Sequence, residues 1–310
     1  MVDKARNVVP VIYGPTAIGK TSLAIQLSQA INGEIVSCDS RQLFKHLDIG
    51  TAKPTTEERE SVKFHLIDLI EPKRFLNAFE FRKLAEEAID GILQAGRLPV
   101  MTVGTGFYLK AMTDGIVEAP SANEEIRSRL EELAESNGIT ALHSRLQSLD
   151  PETASLLDEN DKVRIIRALE LCELTGKTRR ELTEENQLEA SPYNFVFVGL
   201  TMDRDHLYDR INARCEQMID DGLIDECRRL REKGRLSMDV ADKIVGYREA
   251  FQYLEGIIDR DEMISRFKQS TRNYAKRQLT WFRKHPGGRV FDVEDKVLFD
   301  NALEYVEQFL

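Results

Sequence analysis

Cysteine, tryptophan and long apolar runs are all scarce in this sequence. Its 310 residues include four cysteines and one tryptophan, with no CxxC pair and no histidine at metal-ligand spacing. That pattern argues against a structural zinc site and against a disulfide framework. No apolar stretch approaches the roughly 18 residues of a membrane span, and the first ten residues lack the pattern of a secretion signal. We therefore expect a reduced, cytoplasmic chain without a membrane segment.

Basic residues are also fewer than acidic ones. Asp and Glu number 53 against 43 Lys and Arg, and the formal net charge of −10 disfavours a general nucleic-acid binder. With 42% hydrophobic and 31% charged residues, the composition is that of a folded protein and excludes disordered and collagen-like chains. Residues 264–290 are the exception, because they hold eight basic residues and no acidic one. An acidic chain with one basic segment indicates an anionic partner.

Short apolar β-prone runs alternate with helical patterns along most of the chain. Strands are predicted over five segments, which are residues 8–13, 34–38, 98–103, 195–200 and 289–293. Helical spacing follows the first of them from Thr21 and dominates again after Asp203. Continuous apolar strands that alternate with helices indicate a parallel sheet covered on both faces, so the predicted fold class is α/β.

Strand signals disappear in the middle of the chain, where helix-starting signals replace them. Asp150 before Pro151, for example, pairs a cap with a proline at the first helical position. We therefore predict an all-helical insertion domain over residues 118–190. Residues 1–117 and 191–310 would together form the α/β core with its C-terminal helices.

A glycine-rich segment joins the first predicted strand to the first helix. It reads GPTAIGKT and matches the pattern GxxxxGK[ST]. The candidate phosphate-binding residues are Gly14, Pro15, Thr16, Ala17, Ile18, Gly19, Lys20 and Thr21. In such a loop the backbone N–H groups and the helix N-terminus surround phosphate groups, the lysine adds a full positive charge, and the threonine hydroxyl can reach Mg²⁺. The segment therefore predicts a polyphosphate-binding loop of the P-loop NTPase type, without identifying the polyphosphate.

An Asp39-Ser40 pair ends the second predicted strand. In a doubly wound sheet we expect that strand to lie beside the first, which places the Asp39 carboxylate next to the bound phosphates. A carboxylate there can hold a metal ion or accept a proton. A cap for a short helix that begins at Arg41 is the alternative interpretation. In a kinase or NTPase, Asp39 would be the strand-ending carboxylate that holds Mg²⁺.

Eight segments resemble one known family. They are GPTAIGKT (14–21), CDSRQLF (38–44), DIGTAKP (48–54), HLIDL (65–69), VGTGFYLKA (103–111), RIIRALE (164–170), VGYRE (245–249) and YAKRQLTWFR (274–283). Their order and spacing resemble those of tRNA dimethylallyltransferases over about residues 8–283. Without a zinc-finger cysteine pattern, the chain is similar to the bacterial members. The resemblance implies a P-loop α/β core with a helical insertion, as the periodicity does.

The resemblance also implies a reaction. The family transfers the dimethylallyl group of dimethylallyl diphosphate to N6 of the adenosine 3′-adjacent to the anticodon in tRNA, and diphosphate is released. By resemblance, Asp39 is the catalytic base and Thr105 contacts the substrate near the reacting centre. Lys20, together with Mg²⁺ at Thr21, would stabilise the departing diphosphate.

Further site residues are carried over from the family. Arg214 would support the diphosphate, and an ion pair with Asp209 or Asp221 is the alternative. The positions that match tRNA contacts are Asp39, Ser40, Arg41, Gln42, Thr105, Arg127, Val163, Arg164, Ile165, Ile166, Arg167, Lys243, Gly246, Tyr247 and Arg248. For the arginines among them, a solvated helix face is the alternative interpretation.

The last long helical segment carries both aromatic and basic side chains. Phe267, Tyr274 and Trp281 are seven residues apart and share one helix face, so we expect them to pack in the core rather than stack on bases. The cations on other faces, Arg272 and Lys276 among them, are expected to contact tRNA phosphates.

Three other functions remain open from the sequence. They are prenyl transfer to free AMP, a small-molecule kinase or NTPase, and an RNA-binding module with an inactive P-loop. The basic C-terminal segment favours tRNA over AMP, and the retained Lys20 and Thr21 argue against an inactive loop. The predicted partners are therefore dimethylallyl diphosphate and the anticodon stem-loop of tRNA, with Mg²⁺ as cofactor. A monomer suffices for this chemistry.

Overall fold

One sheet of six parallel strands forms the centre of the larger of two units. The computed structural model describes residues 7–186, 191–284 and 287–310. The strands are β1 (Val8–Tyr13), β2 (Gly33–Cys38), β3 (Phe64–His65), β4 (Leu98–Val103), β5 (Asn194–Thr201) and β6 (Arg289–Asp292). They lie in the order β3-β2-β4-β1-β5-β6, and every neighbouring pair is parallel. The predicted α/β class with a P-loop-like parallel sheet is confirmed; β3, with two residues, is too short to show a periodicity.

The expected adjacency of the first two strands is wrong, because β4 lies between β1 and β2. The register nevertheless brings the three carboxyl ends to one level. Val103 of β4 is paired with Tyr13 on one side and with Cys38 on the other. The segment after β1 and Asp39 after β2 therefore leave the sheet at the same edge, with the end of β4 between them.

Helices account for the rest of the regular structure in the described residues. They are α1 (Lys20–Ala30), α2 (Thr56–Ser61), α3 (Ala78–Gln94), α4 (Gly106–Asp114), α5 (Glu124–Asn137), α6 (Ile139–Leu149), α7 (Pro151–Ser155), α8 (Lys162–Thr175), α9 (Arg179–Glu185), α10 (Arg204–Asp220), α11 (Leu223–Glu232), α12 (Met238–Ala241), α13 (Tyr247–Leu254), α14 (Arg260–Phe282) and α15 (Leu298–Glu307). None of these helices combines the length and the apolar character that crossing a membrane requires.

The core of the sheet unit explains the sequence pattern of β1. All six of its residues are buried, because both faces of the strand are covered and no alternation is needed. Leu23 and Leu27 of α1 pack in the same apolar cluster as Tyr247 of α13 and Phe267 of α14. The C-terminal helices therefore belong to the unit that contains the sheet.

The helical insertion forms a compact unit of its own. The chain divides into Met1–Thr113 with Ser191–Leu310, and Asp114–Ala190. The boundary thus lies at Asp114 rather than at residue 118, and the regular structure in the described part of the second unit, α5 to α9, is helical. Its core contains Leu130, Leu146, Ile165 and Leu169. The predicted start of α7 is confirmed, since Asp150 accepts the Thr153 N–H at 3.0 Å and Pro151 is the first helical residue.

Candidate active site

The phosphate loop, residues 14–21, connects β1 to α1. Gly14 and Gly19 have φ angles of +154° and +106°, and Gly19 is the left-handed N-cap of α1. Glycine adopts such angles without the strain that a side chain would add. The Lys20 ammonium donates to the carbonyl oxygens of Gly14 at 3.0 Å and Pro15 at 2.8 Å. The lysine is therefore folded back over the loop, and the helix N-terminus adds its partial positive charge.

Lys20 lies in an unusual electrostatic environment. The Lys20 side chain is largely buried, and this burial lowers the pKa of the ammonium to about 8. The Asp39 carboxylate opposes that shift, whereas the Arg214 guanidinium adds to it. The lysine of the loop, the carboxylate after β2 and an arginine of α10 thus interact electrostatically, so three predicted site residues are brought together.

Asp39 lies in a turn directly after β2. Its Oδ1 accepts the Arg41 N–H at 2.8 Å, and the segment that follows is a turn rather than a helix. The helix-cap alternative is therefore wrong. The second carboxylate oxygen lies against Gly104, where an added Cβ would overlap Oδ2 of Asp39. Glycine at this position leaves the room that the carboxylate occupies.

Thr105 ties the ends of β2 and β4 together. Its hydroxyl accepts the Ser40 N–H at 2.9 Å and donates to the Ser40 hydroxyl at 3.1 Å. The Cys38 carbonyl accepts the N–H groups of both Gly104 and Thr105 at 3.0 Å. The Thr105 side chain therefore stabilises the turn that holds Asp39.

Two side chains of α14 contact the same edge of the sheet. The Gln278 amide is buried; its Nε2 donates to the Gly104 carbonyl at 2.8 Å and its Oε1 accepts the Thr16 N–H at 2.8 Å. The Tyr274 hydroxyl donates to the same Gly104 carbonyl at 3.1 Å. Sequence reasoning missed both contacts, because helical spacing identifies a face but not a partner 174 residues away.

The aromatic side chains of α14 pack within the protein, as predicted. Phe267 is buried. The Trp281 ring lies so close to Gly106 that an added Cβ would overlap it. Burial raises the pKa of the Tyr274 hydroxyl, which is consistent with its role as a hydrogen-bond donor. Both glycines of the GTG turn are thus required by a neighbouring side chain.

Two arginines of α10 lie near the phosphate loop. The Arg210 Nη2 is 3.7 Å from the place where a Cβ on Gly19 would stand, and sequence analysis did not single out this residue. Neither guanidinium forms an ion pair or a hydrogen bond with another described residue, so the alternative pairing of Arg214 with Asp209 or Asp221 is wrong. Positive charge without a pairing carboxylate favours an anionic ligand at the loop.

The side chains of Arg41 and Gln42, two predicted tRNA contacts, form hydrogen bonds with other residues of the protein. Arg41 donates to the Lys243 carbonyl at 2.9 Å. The Gln42 amide accepts from the Ser37 hydroxyl at 2.7 Å and donates to the Ala52 carbonyl at 3.1 Å. Both side chains therefore stabilise the loop that follows Asp39, and Gln42 has its amide committed on both sides.

In the insertion, Glu170 organises two of the predicted arginines. Its carboxylate is fully buried and receives hydrogen bonds from Arg127, at 3.0 and 3.1 Å, and from Arg167. Burial opposes ionisation, but these hydrogen bonds outweigh it and hold the pKa of Glu170 below its ordinary value. Arg164 is 73% exposed and has a 3.5 Å ion pair with Asp161. Arg127 and Arg167 thus stabilise the insertion, whereas Arg164 is accessible.

Three of the predicted tRNA contacts have buried side chains. Ile165 and Ile166 lie in the core of the insertion, with 0% and 5% of their surface exposed. Tyr247 is also fully buried and donates its hydroxyl proton to Glu226. The resemblance carried over a continuous segment, but a helix turns consecutive residues to different sides. Val163, which precedes them, is exposed.

The remaining residues of segment 243–248 differ in accessibility. The Lys243 side chain is exposed. Gly246 is buried with φ +92° and donates its N–H to Glu249 at 2.8 Å. Arg248 pairs with the same buried carboxylate and donates to the Ser270 hydroxyl at 2.9 Å. Lys243 is therefore exposed, whereas Arg248 is held by a buried carboxylate.

Part of the basic charge in residues 264–290 is compensated. The ion pairs are Arg266 with Glu262 and Lys268 with Glu216. Arg272 donates to Asn212 at 2.6 Å, a neutral partner that leaves its charge uncompensated. Lys276 is exposed and has no ion pair within the part of the chain that the structure describes. Arg272 and Lys276 thus keep the positive charge that the sequence assigned to them.

The sheet edge, the folded-back Lys20 and the uncompensated arginines define an α/β protein of the P-loop class. Its phosphate loop follows β1, and the Asp39 carboxylate follows β2, with β4 between the two strands. Comparison with models of protein families shows which family within the P-loop class the chain matches. The family model described as IPP transferase matches residues 42–285, and the one described as Isopentenyl transferase matches residues 7–70. The chain belongs to the IPP transferase family.

Individual relatives agree with that membership. A tRNA dimethylallyltransferase of Halalkalibacterium halodurans is 42% identical over 300 residues, which cover 96% of this chain and 95% of the relative. A tRNA dimethylallyltransferase of Geobacter metallireducens is 40% identical and covers 100% of this chain and 99% of its own length.

Solved structures show the same fold. A full-length tRNA isopentenylpyrophosphate transferase from Bacillus halodurans superimposes with a TM-score of 0.70 at 39% identity and covers 98% of both chains. A eukaryotic dimethylallyltransferase acting on tRNA has a TM-score of 0.79 at 26% identity, over 96% of this chain and 76% of the other.

Proposed function

We propose that this chain transfers the dimethylallyl group from dimethylallyl diphosphate to N6 of the adenosine 3′-adjacent to the anticodon in tRNA, with release of diphosphate. The observation that carries the proposal is the placement of Lys20 and Asp39. The phosphate loop and the carboxylate leave the sheet at one edge and interact electrostatically. A leaving-group site and a base therefore lie side by side. The relatives named tRNA dimethylallyltransferase support the choice of substrates.

The phosphate loop stabilises the leaving group. As the allylic C–O bond breaks, its electron pair leaves with the diphosphate, and negative charge grows on the bridging oxygen. Lys20, the loop N–H groups and the N-terminus of α1 offset that charge. Arg214 and Arg210 add positive charge at the loop without a carboxylate partner in the described residues. In this assignment the loop promotes departure of diphosphate rather than phosphoryl transfer.

Asp39 serves the nucleophile. The lone pair of an adenine N6 amine is delocalised into the ring, so attack on the allylic carbon is aided by a group that accepts an N6 proton. The new C–N bond uses the electrons of the amine, and the proton passes to the Asp39 carboxylate. The hydrogen bonds from Ser40 to Thr105 and from Arg41 to Asp39 keep the carboxylate turn in place. Thr105 lies next to the same reacting centre.

The residues at the loop fit a Mg²⁺ ion held mainly by the substrate. No cluster of three or more His, Cys, Asp or Glu in the described residues could hold a metal by itself. The Thr21 hydroxyl, half-buried beside Lys20, has no hydrogen bond to another described residue. Mg²⁺ commonly takes one or two protein ligands and completes its octahedron with phosphate oxygens and water. Bound in this way, the ion would neutralise charge on the departing diphosphate.

Thr21→Val should therefore raise the Mg²⁺ concentration for half-maximal transfer by about tenfold or more, the range expected when a group that tunes a metal site is lost. Valine keeps the size and the β-branch of threonine but has no hydroxyl. Thr21→Ser is the matched control, because it retains the ligand. A Mg²⁺ titration at saturating substrates compares the three enzymes. If Thr21→Val needs the same Mg²⁺ concentration as wild type for half-maximal transfer, Thr21 is not a ligand of the Mg²⁺ ion.

An adenine stacked in an anticodon loop is out of reach of a pocket, so the proposed reaction requires the base to be turned out of the stack. Binding must then come largely from the RNA backbone. We propose that Arg272 and Lys276 of α14 contact phosphates, together with the accessible cations Arg164 and Lys243. Arg127 and Arg167 contribute by holding the insertion folded around Glu170.

Charge reversal at Arg272 and Lys276 should weaken tRNA binding and flatten its salt dependence, by about 0.7–0.9 in the log–log slope for each phosphate that is no longer bound. Binding isotherms at several salt concentrations measure that slope. Lys233→Glu is the control, since Lys233 is exposed at the end of α11. A double variant with the wild-type slope would place the RNA elsewhere on the protein.

Product analysis tests the proposed function against its alternatives. With dimethylallyl diphosphate and Mg²⁺, the chain is expected to release diphosphate when tRNA is added and not when AMP is added. Release with AMP would indicate prenyl transfer to the free nucleotide. Release of orthophosphate from ATP would indicate that the protein is a kinase or an NTPase, in which Asp39 would hold the metal ion.

We also propose that the chain acts in the cytoplasm and as a monomer. The support for a reducing compartment is that Cys38, Cys172, Cys215 and Cys227 are free thiols. A single chain suffices for the proposed chemistry, because Lys20 and Asp39 follow strands that end at one edge of its own sheet. Light scattering at assay concentration should give the mass of a single chain of 35.4 kDa.

A further inference from the structure

Gln278 spans the two parts of the site that the proposed reaction must hold at a fixed separation. Its side chain is 6% exposed and comes from α14, outside the loops that form the site. One end of the amide accepts the Thr16 N–H at 2.8 Å. The other end donates to the Gly104 carbonyl at 2.8 Å. A single side chain therefore joins the phosphate loop to the turn after β4.

The chemistry of the two contacts specifies an amide. Thr16 presents a donor and Gly104 presents an acceptor, and the two ends of a glutamine side chain satisfy both at once. Glutamate would satisfy the Thr16 N–H but would place a carboxylate oxygen against a carbonyl. A leucine would satisfy neither: the Thr16 N–H would lose its acceptor, and the Gly104 carbonyl would keep only the Tyr274 hydroxyl as a side-chain donor.

The two contacts act on the two reacting partners. Thr16 belongs to the loop that is proposed to hold the diphosphate. Gly104 lies directly against the Asp39 carboxylate, and the Tyr274 hydroxyl binds the same Gly104 carbonyl at 3.1 Å. The distance from Thr16 to Gly104 thus controls the distance from the leaving group to the base.

We propose that Gln278 is a positioning residue for the transfer step, which sets the separation of the phosphate loop from Asp39, and that the Tyr274 hydroxyl assists it. The inference rests on the proposed function. Gln278 acts through Gly104 and Thr16 and takes no part in bond making or proton transfer. Its loss should therefore affect the rate of transfer and not the binding of the diphosphate.

Diphosphate affinity separates a positioning role from a merely structural one. If Gln278 is a positioning residue, removing its amide frees the Thr16 N–H, which Gln278 Oε1 now accepts, for a phosphate oxygen. Diphosphate affinity should then be retained or increased, while the alignment with Asp39 is lost. Collapse of the loop would instead weaken diphosphate binding and slow transfer together.

The experiment measures transfer and binding on the same full-length proteins. Gln278→Leu should lower kcat by about 10- to 100-fold, the cost of a displacement near 1 Å at a reacting centre, with the KM for tRNA within about threefold of wild type. The Kd for inorganic diphosphate with Mg²⁺, from calorimetry, should not rise. Tyr274→Phe removes one hydroxyl at little risk to folding and should lower kcat in the same direction by about threefold. Gln308→Leu, at an exposed glutamine after α15, is the control.

Two results would overturn the inference. One is a wild-type kcat in both Gln278→Leu and Tyr274→Phe, or in Tyr274→Phe alone if the leucine variant does not fold. The other is a diphosphate Kd that rises in proportion to the loss of kcat. Wild-type protein assayed alongside keeps the two proposals apart. If wild-type protein transfers label to tRNA and the variants do so at the same rate, the positioning role fails and the proposed function stands.

Discussion

Replacing Asp39 with asparagine is expected to slow prenyl transfer by about 10²- to 10⁴-fold, the range that a general base contributes. Asparagine keeps an oxygen that can accept the Arg41 N–H, now at 2.8 Å, but it cannot take a proton from N6. The turn should therefore remain folded. Affinity for tRNA should not fall, because the substitution removes a negative charge. Single-turnover transfer of labelled dimethylallyl groups and the tRNA Kd are the paired measurements.

An indirect effect through Lys20 has to be separated from the loss of the base. Because the Asp39 carboxylate raises the pKa of Lys20, its removal favours the uncharged lysine and weakens diphosphate binding near pH 8. Assays at about pH 6.5 keep the ammonium protonated in both proteins. Asp209→Asn, an exposed change on α10, is the control. A rate for Asp39→Asn within about threefold of wild type at that pH would rule out Asp39 as the base.

Replacing Lys20 with methionine should lower diphosphate affinity and the transfer rate together, with the rate falling by about 10²- to 10³-fold, as when one charge-stabilising donor is lost. Methionine has a similar length and no charge. The hydrogen bonds to the carbonyls of Gly14 and Pro15 disappear with the ammonium, so thermal unfolding must be checked in parallel. A variant that binds diphosphate as wild type does would contradict the leaving-group assignment.

The same residue predicts a pH dependence with a definite sign. Since the pKa of Lys20 is about 8 in the ligand-free protein, the ammonium is lost as the pH rises through that value, and affinity for diphosphate should fall. Bound diphosphate raises the pKa, so binding near pH 8 should take up a proton. Calorimetry in two buffers of different ionisation enthalpy measures this uptake. Lys20→Met, measured under the same conditions, supplies the reference that contains only the titration of the ligand.

How much of this site the sequence predicts depends on whether a contact is local. The phosphate loop is local: a strand, two glycines, a lysine and a helix follow each other in order, and the structure has each in place. The end of β2 just before Asp39 is equally local. Strand order is not, and the insertion of β4 between β1 and β2 could not be predicted from strands of similar length and composition.

Contacts across long stretches of chain account for most of what the sequence missed. Gly104 and Gly106 are both glycines two residues apart, but they are required for different reasons. Gly104 makes room for the Asp39 carboxylate, and Gly106 makes room for the Trp281 ring. Gln278 shows nothing in its local pattern that points to Thr16. Each of these requirements arises when elements distant in sequence pack together, so periodicity carries no signal for it.

The insertion shows the limit of carrying over a whole segment. Ile165 and Ile166 matched family positions, but their side chains complete the apolar core of α5 to α8. The neighbouring Arg167 donates a hydrogen bond to the buried Glu170 carboxylate, whereas Arg164 is exposed. A helical pattern with apolar residues at positions 165, 166 and 169 predicts the buried face correctly once periodicity is applied within the segment.

Incubation of the purified chain with dimethylallyl diphosphate labelled in the prenyl group, Mg²⁺ and unmodified tRNA tests the central claim most directly. Nuclease digestion and chromatography then locate the label. We expect wild-type protein to form N6-dimethylallyl adenosine in the tRNA at the position 3′-adjacent to the anticodon, and Asp39→Asn to form none that is detectable. Label in AMP added in parallel, or no label in either acceptor, would contradict it.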